Sequence, residues 1–534
     1  MNIQVIMKTA RSITFLLDDG GIYNTKENYK LSLNGKEIKQ TTTVVTSLYS
    51  LCPDTAYHME VKNPSDELVE TLEFCTEKEF VTLNVREFGA SGDGASDDTG
   101  FIQAAIMACP KGGRVLIPRG TYRITSIFLK SELNLELADG AELVAETDRN
   151  RFAKFPGMIQ SYDETEDYNL GTWEGNPLPM FASILTGIDV SNVNIYGQGT
   201  INGCATHENW WHNEKVMVGA FRPRLLFLER CKNIQVQGIH FCNSPAWTIH
   251  PYFSENLMFT DLTINNPQVS PNTDGLDPES CKNVEIIGVH FSLGDDCIAV
   301  KSGKVYMGRK YKVACEHVHV CQCLMEHGHG AVTVGSEIGA GVNDIVVEKC
   351  RFYDTDRGLR IKTRRGRGKD SVLDGIVFRD IDMDHVMTPF TANAFYFCDP
   401  DGRTEYVQSR AYHEVDERTP VMKTFRFENI KATNCHVAAA YFAGLPESKI
   451  ERLELINCKM DFAKSPRSGV PIMSNGVEEC TNMGIHAENI HTLVIEDVEI
   501  KGQSGDVYDL RGVEYLVDAS GQRINPENVN AGVE

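Results

Sequence analysis

Between Asn272 and Gly303 the chain reads NTDGLDPESCKNVEIIGVHFSLGDDCIAVKSG, with Asp274 in one short polar cluster and the adjacent Asp295 and Asp296 in another. Carboxylates held close together cannot all ionise easily. One keeps a raised pKa and can give a proton to a leaving oxygen, while its neighbours activate water. Further on come Gly328-His329-Gly330 and Arg360-Ile361-Lys362. An imidazole can orient a carboxylate, and fixed cations can pair with an anionic substrate, arginine bidentately. The set suits hydrolysis of an anionic glycoside. Taken singly, Asp274 is a turn aspartate and His329 a turn histidine, so the reading depends on their sharing one surface.

A repeat in the chain puts them there. Apolar residues recur at x, x+2, x+5 and x+7, as in Ile234/Val236/Ile239/Phe241, Leu257/Phe259/Leu262/Ile264 and Val284/Ile286/Val289/Phe291. The pattern continues through Val318, Ile345, Ile376, Phe425, Leu453 and Leu493. Two inward residues at strand period, a bend and two more describe coils stacked at roughly 4.8 Å, a parallel β-helix. Asp295 and His329 each lie four residues after the last inward position of their coils, Phe291 and Met325, and so occupy equivalent places. Asp274, Arg360 and Lys362 fall in the segment after the same corner. Cys323, Cys350 and Cys458 share one inward column, which makes them core residues. Cys321-Gln322-Cys323 has no matching second pair, so no metal site and no cofactor is expected.

Length and charge set the surroundings. A chain of 534 residues is too long for one ordinary compact domain but suits an elongated repeat with a small domain attached. The formal charge of -22 argues against a nucleic-acid or membrane-surface binder, both of which need a basic face. The local exception is the stretch from Arg357 to Lys369, basic at Arg360, Lys362, Arg364, Arg365 and Arg367 and free of acids. The opening MNIQVIMKTARSITFLLDDGG has no basic region followed by a sustained apolar run, so a cytoplasmic protein with reduced cysteines is expected.

Residues 1–78 read as short strands broken by turns, a small β-sandwich, and residues 79–534 as the β-helix. A Gly/Asp-rich turn leads into a helix capped by Asp97 or Asp98, with Ile102, Ala105, Ile106 and Cys109 as its apolar stripe. Residues 150–182, which include Tyr162, Asp163, Glu164, Glu166, Trp173 and Glu174, interrupt the coils, as do residues 203–222, which include Trp210 and Trp211. Such loops could wall off one end of a groove, and the tryptophans could offer a stacking face to a sugar. A polar segment follows near Asp399 to Pro420.

Leu51-Cys52-Pro53-Asp54-Thr55-Ala56-Tyr57 resembles the L-x-P-x-T-x-Y signature of fibronectin type III domains, with Tyr57 as the corner residue. From about Asn84 onward the chain resembles glycoside hydrolase family 28, the polygalacturonases, on Asn272-Thr273-Asp274, Gly294-Asp295-Asp296, Gly328-His329-Gly330 and Arg360-Ile361-Lys362 in order. The resemblance implies a right-handed parallel β-helix and metal-free, inverting hydrolysis of α-1,4-galacturonosyl bonds. By the family's roles Asp295 would be the general acid, Asp274 and Asp296 would position and activate water, and His329 would support the site. Arg360 and Lys362 would bind the galacturonate carboxylate, with Tyr396 as a candidate contributor. Asn272, Lys301, Glu174, Trp173, Trp210 and Trp211 complete the candidate binding set.

The layout looks like exo-acting members, so release of galacturonate from the non-reducing end of pectic oligosaccharides is expected. The alternatives are rhamnogalacturonan hydrolysis, a calcium-dependent pectate lyase and a β-helix that only binds polysaccharide. Oligomeric state is left open.

Overall fold

The structure, a computed structural model, describes residues 1–160 and 167–525. Tyr162, Asp163, Glu164 and Glu166 lie outside the described residues.

The first 75 residues form two antiparallel sheets. One contains Asn2–Lys8, Ile13–Asp18 and Val45–Leu48; the other contains Lys36–Thr43, Asn24–Leu33, Ala56–Lys62 and Leu68–Cys75. Alternation turns Ile13, Phe15 and Leu17 toward Leu31, Met59 and Val61 in a shared core. At the Asn34-Gly35 hairpin both residues have positive φ, 49° and 80°, as a type I′ turn requires. The Cys52 N–H donates to the Tyr57 hydroxyl at 2.9 Å, so the tyrosine ties the end of its strand to nearby backbone.

This unit docks on the outer face of the coils. Ser12 Oγ donates to Gln237 Oε1 at 2.6 Å, Gln322 Nε2 donates to the Gly21 carbonyl at 3.1 Å, and Arg11 pairs with Glu79 at 2.6 Å. Apolar groups take part as well: Val45 packs against Gly288, and Met7 Sδ lies 3.9 Å from Thr260 Oγ1.

From Thr82 onward the chain winds into a right-handed parallel β-helix. The inward columns run in unbroken register: Ile234, Leu257, Val284, Val318, Ile345, Ile376, Phe425, Leu453 and Leu493 are successive partners. The repeat also runs back before Ile234, through Val193 and Leu133 to the strands Arg114–Ile117 and Thr82–Asn84. The insertions separate these first coils widely enough in sequence to hide their period. The helix Thr99–Ala108 starts at Asp98 and buries Ile102, Ala105 and Ile106 against the first coils, closing an end that would otherwise expose the core.

Corners need backbone that turns sharply. Asn192, Asn233, Asn256 and Asn283 all sit at positive φ, from 55° to 59°, a region asparagine tolerates. The amides of Asn233, Asn256 and Asn283 each donate to the asparagine of the coil before, at 2.9 to 3.0 Å, and that of Asn192 donates to Glu132 Oε1 at 2.7 Å, so the corner is bonded along the stack as well as across it.

Candidate active site

One sheet of the β-helix carries the chemistry. Its strands Ile298–Val300, Val332–Val334, Arg357–Lys362 and Thr388–Asn393 lie in register, and Ile298, Val332, Leu359 and Phe390 all face inward. The residues on either side must therefore face out. Thr333 pairs with Arg360, and Glu279 pairs with Lys301 one coil earlier. Phe291 is the partner of Met325, and the His329 N–H donates to the Asp295 carbonyl at 3.0 Å, so Asp295 and His329 occupy equivalent places. The Gly275 N–H bonds to the Asp296 carbonyl, which brings Asp274 onto the neighbouring coil.

The glycines beside His329 are spatial requirements. A Cβ at Gly330 would lie 2.9 Å from Asp296 Oδ1 and 2.3 Å from Thr333 Oγ1. At Gly328 it would lie 2.7 Å from both the Asp295 carbonyl and Cys297 Sγ. Only glycine lets this turn approach the two aspartates.

Oxygens of Asp274, Asp295 and Asp296 lie within 4.8 Å of one another, and their environments separate them. Asp296 is almost fully buried, with Oδ1 3.0 Å from Arg360 Nη1 and Oδ2 2.8 Å from Lys362 Nζ. Burial opposes its charge, but the two cations hold its carboxyl far below the usual range. Asp274 has no such pair: burial, then the charge of Asp295, pushes it up to about 8. Asp295 keeps about a fifth of its side chain exposed, and its Oδ1 lies 3.4 Å from His329 Nδ1. Burial would raise Asp295, yet the imidazole outweighs it and holds the carboxyl low, while the same contact raises His329.

Behind the aspartates stands Lys301, 3.6 Å from Asp274, 3.7 Å from Asp277 and 3.3 Å from Glu337, with its ammonium 4.2 Å from the centre of the Trp247 ring. Burial would discharge it, but these acids hold its pKa well above the ordinary lysine value. Glu337 is correspondingly held down to about 2, against its own burial, by Lys301 and Lys304. Asp277 is fully buried with neither oxygen hydrogen-bonded, and burial drives its pKa well up. Burial thus favours its neutral form, against the pull of Lys301.

These groups border a cavity of about 620 Å³ whose lining includes Asn272, Asp274, Asp295, Asp296, Lys301, His329, Arg360, Lys362, Tyr396 and Glu174. Ten of the thirteen candidate residues thus converge. The three tryptophans do not, which corrects the expectation of a stacking face. Trp210 is fully buried against Phe152 and Phe181, and the Trp211 indole N–H donates to the Ser244 carbonyl. Trp173 is stacked on Phe221 at 4.7 Å, with Arg224 5.2 Å from its ring centre. Trp173 and Trp210 lock the two insertions onto each other, and Trp211 ties its own to Ser244; the tryptophan that borders the cavity is Trp247.

A second adjustment concerns Arg360 and Lys362, whose charged partner is Asp296. Lys215, Arg357, Glu337 and Asp399 also line the cavity and were not anticipated, having no motif of their own. Asp277 had one available signal, its place in N-T-D-G-L-D.

Three carboxylates so close could in principle hold a cation. Here both oxygens of Asp296 bond fixed cations and Lys301 stands beside Asp274, so the charge a metal would neutralise is already opposed. The arrangement instead retains a proton: a neutral Asp274 lies next to an ionised Asp295 that points into the cavity.

The sequence profile of glycosyl hydrolases family 28 matches residues 164–416, and that of rhamnogalacturonase A/epimerase, pectate lyase-like, matches residues 82–138. A probable polygalacturonase of Vitis vinifera is 28% identical over 402 residues, covering 73% of this chain and 76% of that protein. An exo-poly-alpha-D-galacturonosidase of Dickeya chrysanthemi is 25% identical over 61% of this chain and 59% of its own length. Among solved structures, the exopolygalacturonase of Thermotoga maritima is 26% identical with a TM-score of 0.61, over 76% of this chain and 96% of that one. The family 28 exopolygalacturonase of Yersinia enterocolitica is 18% identical, has a TM-score of 0.68 and covers 98% of this chain and 100% of its own, a likeness of fold.

Proposed function

The chain belongs to family 28 of the glycosyl hydrolases, and on that premise we propose that it hydrolyses α-1,4-galacturonosyl bonds of pectic oligosaccharides from the non-reducing end. The observation that carries the exo reading is the wall of the cavity. Glu174 and Lys215 come from the two early insertions, Asp399 from the third, and Met473 from a fourth segment between strands. Side chains from four separate excursions around one cluster favour a pocket for a chain end over a through-groove.

Asp274 and Asp295 hold one proton between them, and its position depends on what fills the pocket. In the ligand-free arrangement it rests on Asp274. A glycosidic oxygen lodged against Asp295 makes that carboxyl the better proton site, and the transfer leaves Asp274 ionised. Asp295 then protonates the leaving oxygen, Asp274 takes a proton from the attacking water, and the pair ends with one proton as it began. Asp296, immobilised by Arg360 and Lys362, orients the water. His329 keeps Asp295 turned toward the substrate. Arg357, Arg360, Lys362 and Lys215 give an anionic sugar a local positive field in an otherwise acidic protein.

The spacing bears on stereochemistry. Oxygens within 4.8 Å are closer than the roughly 6.5–9.5 Å usual for inversion. Retention, however, needs a free carboxylate nucleophile: Asp296 is capped on both oxygens, and Asp274, ionised once its proton has passed to Asp295, is engaged as the base on the water. Attack by water, with inversion, fits this charge pattern better.

The rhamnogalacturonase-like match supports a second reading, hydrolysis of rhamnogalacturonan. It spans the first coils, which contribute no residue to the cavity lining, and so bears on the winding of the coil more than on the substrate.

The deciding experiment is a time course on tri-galacturonate and polygalacturonate, with products separated by size and the new anomer followed by NMR. Monomer alone from the earliest points, born as the β-anomer, is expected. An early ladder of oligomers would overturn the exo reading, and an α-anomer would overturn inversion.

A further inference from the structure

A second constellation lies on the outer face of another sheet. His319 and Cys321 are two residues apart on the strand Cys315–Cys321, so strand alternation puts both on one side. Glu348, on the next coil, is the direct partner of Cys321. One nitrogen, one sulfur and one carboxylate oxygen from these three lie within 4.8 Å of one another.

Cys321-Gln322-Cys323 had looked like an unmatched chelating pair. Gln322 adopts positive φ, 53°, and the bend turns Cys323 into the core while Cys321 stays outside the apolar cluster. The pair is split across the sheet wall, and His319 takes the place of the second sulfur.

We propose that His319, Cys321 and Glu348 form a binding site for a thiophilic divalent cation, zinc(II) above all. The donor set fits a borderline-soft tetrahedral ion: imidazole nitrogen, thiolate sulfur and carboxylate oxygen, with a water as the fourth ligand. The surroundings fit as well. His319 Nδ1 lies 2.7 Å from Glu285 Oε2, leaving Nε2 directed at Glu348 Oε1, 3.2 Å away. A carboxylate behind a ligating imidazole fixes its tautomer and raises its basicity. Arg379 Nε donates at 2.5 Å to Glu348 Oε2, the oxygen turned away from His319, and so orients the carboxylate without occupying the inner oxygen. Closure needs a contraction of up to about 1.5 Å from the 4.8 Å limit, since ligands on one zinc ion stand roughly 3.3–3.8 Å apart, as bond lengths of about 2.0–2.3 Å imply. His319 keeps about a third of its side chain exposed, which leaves a path for entry, while Cys321 is 6% exposed.

The contrast with the aspartate cluster supports the assignment. Those three groups offer only oxygen, and both oxygens of Asp296 are bonded to Arg360 and Lys362, whereas this set offers sulfur and nitrogen with one cation on its far side.

The test uses the full chain and reads the metal, not turnover. Cobalt(II) chloride titrated into metal-stripped, reduced protein should give a near-ultraviolet thiolate-to-cobalt band that saturates at one equivalent and is bleached by zinc chloride. Cys321→Ser should abolish the band, and Glu285→Gln should weaken binding about 10- to 100-fold. No band in the wild-type chain, or an undiminished band in Cys321→Ser, would overturn the proposal, the latter pointing to the exposed Cys52, Cys75 or Cys398. If Cys321→Ser fails to fold, His319→Gln decides: a loss of at least about tenfold in cobalt affinity supports the site, and unchanged affinity overturns it.

Discussion

Ile298, Val332 and Leu359 face into the coil stack, while Asp296, Lys301 and Arg360 face out of the same sheet a residue or two away. The inward residues form columns in which Ile, Leu, Val, Phe, Met and Cys replace one another from coil to coil, the register of these pairings shifting only past Ala432. Apolar burial is non-directional and scales with area, so each position asks only for a side chain of suitable size. The outward residues have assigned partners. Each oxygen of Asp296 has its own cation, and Lys301 alone stands among Asp274, Asp277 and Glu337. Stability is spread over many coils, whereas the chemistry is concentrated on a few with no spare parts.

The sharpest way to break this contrast is Asp295→Asn. Turnover of oligogalacturonate should fall about 10²- to 10⁴-fold, the usual contribution of a positioned acid, with the melting temperature unchanged or slightly lowered because the amide loses the His329 contact that favours the carboxylate. Retained turnover would remove Asp295 from the chemistry.

Lys301→Met tests the opposite property, a charge that supports the fold and the site together. It leaves buried acids without their cation, and urea unfolding should show a loss of about 3–5 kcal/mol. A loss below about 1 kcal/mol would mean that the acids simply take up protons.

The pH dependence of stability is a milder probe. Between about pH 4 and about pH 8 the folded chain keeps a proton on Asp274 that the unfolded chain has released. Stability from this group is therefore complete below about pH 4 and lost as pH rises toward 8, by at most about 1.4 kcal/mol per unit. Asp274→Asn should flatten denaturation midpoints across that window; an unchanged slope would place the shared proton elsewhere.

The smallest effect belongs to the inner columns. Ile298→Val should cost about 0.5–1.5 kcal/mol and leave kcat unchanged, although Ile298 lies two residues from Asp296. A fall in kcat beyond about threefold would show that packing errors reach the carboxylates, as misplacement of about an ångström can.

Much of this was readable in the chain because strand alternation and coil stacking are local. The spacing of Phe291 and Met325 was enough to align Asp295 with His329, and the repeat placed Asp274, Arg360 and Lys362 beyond the same corner. The same logic failed for the first coils, where insertions stretch the interval between Val193 and Ile234, and for the tryptophans. A tryptophan in a loop has the same sequence signature whether it meets a sugar or its own coil. Trp173 and Trp210 face inward because the loops fold back onto Phe221, Phe152 and Phe181.

The sequence by itself determined the coil, the side of the wall on which each motif lies and the order of the motifs along the stack, since period and register follow from neighbouring residues. Only the tertiary structure decided which charge answers which. Arg360 and Lys362 close on Asp296, Asp277 joins through Lys301, and Asp274 keeps its proton because burial and the charge of Asp295 outweigh Lys301, 3.6 Å away. Such pairings depend on the last few ångströms between side chains from different coils, and electrostatics in a buried site is decided at that distance.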